Sequence, residues 1–94
     1  MTFEEFNNSL KQEQCPSSLS GYLKALWHEG KGEWEKAHTV IQEIDDKTAA
    51  WIHAYLHRKE GDVWNADYWY SKAGRKRPAV SLTEEWKDIV TALL

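Results

Sequence analysis

The chain has 94 residues, a formal net charge of −3 and a single cysteine, Cys15. That length sets one domain, one cysteine excludes an internal disulfide framework, and the acidic balance disfavours a surface given over to nucleic acid. No run approaches the ~20 apolar residues of a membrane span, and the opening MTFEEFNNSLKQEQ lacks the flank and core of a signal peptide.

Thr2 followed by Glu5 forms a capping box. Phe3, Phe6 and Leu10 then share one face, which predicts a first helix over 3–14, broken at Cys15-Pro16-Ser17-Ser18. Ser18 is the expected cap of a second helix over 19–29, striped by Leu23, Leu26 and Trp27 and stopped at Gly30-Lys31-Gly32. A third helix is expected over 33–43, with Trp34, Ala37, Ile41 and Ile44 marking its buried side. Asp45 and Asp46 form the next turn. A fourth helix over 47–59 leads to Gly61 for a turn and Asp62 for a cap. The fifth helix runs over 63–73 to Gly74, followed by the basic Arg75-Lys76-Arg77-Pro78. Ser81 with Glu84 opens the sixth, striped by Trp86, Ile89, Val90 and Leu93. No alternating strand pattern occurs, so the expected fold class is all-α with six helices. Cys15 is expected to be a reduced thiol, as in a cytoplasmic protein.

A shift of 29 residues, the separation of Gly32 and Gly61, lays the middle of the chain on itself. Ala25 falls on Ala54, His28 on His57 and Ala37 on Ala66. Trp34, Ala37, Ile41 and Ile44 fall on Val63, Ala66, Tyr70 and Ala73. Small residues at matched positions let paired helices approach closely. One hairpin cannot bury its apolar face alone, but stacked hairpins can.

This pattern resembles the tetratricopeptide repeat, a helix–turn–helix unit of about 34 residues. The second unit matches through Ala54, Gly61-Asp62, Ala66, Tyr70, Ala73 and Pro78. The first keeps Ala25, Gly32, Ala37 and Ile41. Both depart at the start, with Gly21 and Ala50 where tryptophan is usual and Lys24 and His53 where leucine is usual. The resemblance covers 19–78 and implies two hairpins flanked by a helix at each end. It also implies a scaffold that binds protein or peptide rather than an enzyme. The first helix of each hairpin would line the concave side, placing Tyr22, Leu26 and Glu29 in a groove with Trp51, Tyr55, Arg58 and Lys59. Two rings beside an arginine suit an apolar side chain next to a carboxylate.

Other clusters carry competing chemistry. His53 and His57 are four apart on one helix and can share a metal if Glu60 or Asp62 supplies a third ligand. A small metal-dependent or acid–base enzyme using His53, His57 and Asp62 is therefore the alternative function, although no nucleophile motif or phosphate loop accompanies them. Packing and capping explain the same residues without any cofactor, and none is expected. Arg75-Lys76-Arg77 with Arg58 and Lys59 is either a solvated loop or the seat of an acidic protein or peptide; nucleic acid ranks last. Trp64, Tyr68 and Trp69 lie off the buried stripe of the fifth helix, so either the sixth helix covers them through Trp86 and Ile89 or another chain does. That other chain includes a second copy of this one.

Overall fold

The computed structural model describes residues 1–94 as six helices and no strand, an all-α fold. In chain order these are α1 (Phe3–Ser9), α2 (Gly21–Gly30), α3 (Trp34–Gln42), α4 (Lys47–Glu60), α5 (Val63–Lys72) and α6 (Leu82–Leu93). Helix α2 turns back on α3, α4 turns back on α5, and α3 joins the two hairpins by packing on α4. Helix α6 lies against both α2 and α4, and α1 packs on α6.

The two hairpin turns use the same backbone bonds. Glu33 N–H donates to the His28 carbonyl at 2.9 Å, and Asp62 N–H donates to the His57 carbonyl at 3.0 Å. Gly32 and Gly61 sit at φ 79° and 88°, where a side chain would clash with its own backbone. Asp62 then caps α5 by accepting from Asn65 N–H. The matched alanines Ala25, Ala54, Ala37 and Ala66 are all fully buried.

The other caps follow from short polar side chains. Thr2 and Glu5 complete the expected capping box on α1. Ser81 accepts from Glu84 N–H at α6, and Asp46 accepts from Ala49 N–H at α4. Two boundaries differ from expectation. Pro16 to Leu19 closes a turn of its own, through Leu19 N–H to the Pro16 carbonyl, so Ser20 rather than Ser18 caps α2. Helix α1 ends at Ser9 instead of Gln14 because Lys31, at the end of α2, donates to the Leu10 and Gln12 carbonyls at 2.8 and 2.7 Å. A cation satisfying terminal carbonyls ends a helix favourably, and nothing apolar in Lys11–Gln14 draws those residues onto the core.

The main core lies among α2, α4 and α6, built on Phe6, Leu26, Trp27, Ile52, Leu56 and Ile89. Trp86 seals its end. Its ring meets Phe3 edge-on at a centroid distance of 5.8 Å and lies 5.9 Å from Phe6, while its indole N–H donates to the Leu26 carbonyl at 3.0 Å. Gly30 leaves room for that ring, since a Cβ there would stand 2.9 Å from it.

Candidate functional site

The expected concave groove is filled from within. Leu26 is 0% and Tyr55 2% exposed, because α6 lies across the face that α2 and α4 present. Arg58 spends its guanidinium on the chain itself, donating to the Glu85 carboxylate at 2.9 Å and to the Val80 carbonyl. Lys59 pairs with the buried Glu29. Tyr22 donates to Asp46, and Trp51 is half-buried beneath Arg75, whose guanidinium lies 3.5 Å from its ring centre. A carboxylate does meet Arg58, as the spacing suggests, but α6 supplies it.

Glu85 is the centre of this closure. It is 2% exposed and accepts from the Tyr70 hydroxyl at 2.7 and 2.6 Å as well as from Arg58. Burial, then the hydrogen bond to Glu85, pushes the Tyr70 phenol well above its ordinary pKa. Burial and the Glu29 and Glu85 carboxylates push Tyr55 the same way. Both phenols therefore remain neutral donors at physiological pH.

Helices α3, α4 and α5 bring together three imidazoles and two indoles. His53 and His57 stack at 4.9 Å on α4, and His38 of α3 meets His53 edge-on at 4.8 Å. Trp34 stacks on His38 at 5.0 Å, and Trp69 stacks on His53 at 3.9 Å. His38 Nε2 lies 3.1 Å from His53 Nε2, so one of the two carries the shared proton. His57 Nδ1 lies 2.6 Å from Glu60, and a carboxylate only accepts, which puts the proton on Nδ1 and leaves Nε2 as an acceptor. One nitrogen from each of the three histidines lies within 4.8 Å of the others.

The expected grouping of His53, His57 and Asp62 is thereby divided. His57 lies with Glu60 and Asp62 on one side and with His38 and His53 on the other. Asp62 is occupied in capping α5. His38 is the residue that pattern reading missed. Its only sequence signal is its place beside the buried Ala37, one helical turn after Trp34, and the packing of α3 on α4 is what makes that place matter.

The cluster sets a pH dependence. Burial first, then His38 and His57, lowers the His53 pKa from the ordinary 6.5 to about 4. His38 is lowered as well, by burial first and then by His57. His38 from α3 and His57 from α4 face His53, and the uncharged Trp69 from α5 covers it; Glu60 and Glu35 act on His38 in the opposite sense. The unfolded chain takes up a proton at His53 near pH 6.5, the folded chain only near pH 4. The His53 contribution is therefore complete above pH 6.5 and is lost as pH falls from 6.5 to 4. Allowing for solvent screening, the loss is about 2 kcal/mol. Urea unfolding between pH 7.5 and 4.5, with chelator present, should show this decline in wild type and a flatter profile in His53→Gln.

The outer side of α5 is the most exposed aromatic surface. Trp64 is 81% and Tyr68 49% exposed, and Val63 beside them is exposed too. Helix α6 does not cover them, because Trp86 and Ile89 turn into the core with α1 and α2. Trp69 is half-buried between this surface and the histidines, meeting Tyr68 edge-on at 5.4 Å. The Lys72 ammonium lies 5.3 and 5.1 Å from the Tyr68 and Trp69 ring centres. Arg77 pairs with Asp67 at 2.9 Å, whereas Lys72, Arg75 and Lys76 have no carboxylate partner.

No protein-family model matches this sequence, and neither a curated protein nor a solved structure matches it. No helix is long and apolar enough to cross a membrane.

Proposed function

We propose that the chain is a non-catalytic, cytoplasmic protein-interaction module of two tetratricopeptide-like hairpins, docking an acidic amphipathic segment of a partner protein on the outer face of α5. The observation that carries this reading is the uncovered pair Trp64 and Tyr68, with Lys72, which has no carboxylate partner, over the Tyr68 ring. Large exposed rings offer binding area at low entropic cost, and tryptophan dominates interface energies. Lys72, in the last turn of α5, already sits over the Tyr68 and Trp69 rings. A partner with leucine or phenylalanine on one side and glutamate or aspartate beside it satisfies both features. The matched turns and buried alanines support the repeat resemblance, and the internally filled groove makes the outer face the available one.

Two libraries of displayed 12-residue segments test this, one rich in Leu, Phe, Glu and Asp, the other with Lys and Arg in place of the acids. The acidic library should enrich on the wild-type chain. Trp64→Ala should weaken the selected segment by about 30-fold, the loss of a hot-spot residue, and leave the melting temperature unchanged because that ring touches solvent. Lys72→Glu should weaken it too, and added salt should do the same. Enrichment of the basic library, or equal capture by Trp64→Ala, contradicts the proposal. Self-association of the chain abolished by Trp64→Ala would assign the face to a second copy instead.

A further inference from the structure

We propose that His38, His53 and His57 form a binding site for one divalent transition-metal ion, of which zinc is the best match. Three imidazole nitrogens suit the borderline ions, and a site with three protein ligands leaves a fourth position for water. Around a tetrahedral zinc, ligand nitrogens stand roughly 3.4 Å apart. His38 Nε2 and His53 Nε2 are 3.1 Å apart, and every pair in the cluster lies within 4.8 Å. Closing any of these gaps to that spacing takes a change of at most about 1.4 Å in separation. His53 and His57 stand one helical turn apart, and the rigid α4 backbone sets their separation.

The surroundings have the features of a ligand shell. Glu60 holds the His57 Nδ1 proton at 2.6 Å, which leaves the Nε2 lone pair free to accept. A carboxylate behind a ligating histidine fixes its tautomer and raises its basicity. Trp34 and Trp69 stack on His38 and His53 and hold those rings in place. Without an ion, His38 and His53 share one proton between two ring nitrogens. The only polar group offered to His57 Nε2 from a neighbouring helix is the Asn65 amide, at 3.5 Å. The His53 and His57 rings stack, so their in-plane lone pairs run side by side; with one of these rings rotated, a cation among the three nitrogens takes all three lone pairs. A surface depression bordered by Asp45, Asp46 and Lys72 reaches His53.

The site and the docking face are separate propositions, and the experiment reads only the ion. The tag-free chain is titrated with Co2+ in the visible region and then with Zn2+ by calorimetry. Wild type should bind one ion per chain, with tetrahedral Co2+ bands that Zn2+ displaces. His38→Ala should lose the bands. His38→Phe should lose them too while keeping a ring on Trp34, so that a folding defect in the alanine variant is no escape. Glu60→Ala should weaken Zn2+ by about 10–100-fold, and His28→Ala, outside the cluster, should bind as wild type. Absence of tetrahedral bands in wild type, or their survival in His38→Phe, overturns the proposal.

Discussion

Glu85→Ala is expected to lower stability by about 3–5 kcal/mol, the cost of stranding one partner of a buried ion pair. A domain of this length has only roughly 5–14 kcal/mol in total, so the variant should lose a sizeable share of its stability and melt well below wild type. The reason is local. Glu85 is the only carboxylate in contact with Arg58, and its two oxygens share the single proton donated by the neutral Tyr70 phenol. Removing it leaves a guanidinium and a hydroxyl facing a low-polarity gap, and frees α6 from α4 and α5 together. Urea unfolding followed by helical circular dichroism gives the number. Arg58→Met combined with Glu85→Leu should recover most of the loss, because an apolar pair of similar volume avoids the stranded charge. Equal destabilisation in single and double variants would show that packing of Glu85, rather than its charge, holds α6.

Trp86→Ala is expected to cost about 3–5 kcal/mol as well, by loss of burial and by the cavity left behind. The indole fills the space between Phe3, Phe6 and Gly30 and holds the Leu26 carbonyl. Helix α1 packs chiefly on α6, so this variant should also release the N-terminus. Hydrogen exchange should then rise over Phe3–Ser9 more than over α4 and α5. Uniform loss of protection along the chain would instead mean that α1 is no separate unit.

Much of the fold is legible in the sequence because its signals are local. Gly32 and Gly61, each followed by an acidic residue, mark the two turns, and the positive φ at both is the reason that glycine stands there. Thr2, Ser81 and Asp62 announce their helices through side chains that reach only three residues. What could not be read is what arrives from a distance. The end of α1 depends on Lys31, which is 21 residues from Leu10. Trp51, Tyr55 and Arg58 share a face as their spacing requires, but their covering comes from α6, and Glu85 lies 27 residues beyond Arg58. His38 joins the α4 histidines only through the angle at which α3 crosses, and no periodicity encodes that angle. Trp64, Tyr68 and Trp69 were separable from the buried stripe by register alone. That α6 leaves Trp64 and Tyr68 bare follows from where Trp86 finds its partners.

The claim that the outer face of α5 is the docking surface is tested most directly by chemical-shift mapping. The 15N-labelled chain is titrated with an acidic amphipathic peptide selected on it, and the indole N–H signals of the six tryptophans report position without ambiguity. The Trp64 and Trp69 indoles and the Tyr68 and Lys72 amides should move together, while the indoles of Trp27 and Trp86, both buried in the core, remain in place. Shifts centred on Tyr22, Trp51 and the α6 amides, with Trp64 unmoved, would mean that a partner displaces α6 and enters the groove, and would contradict the account.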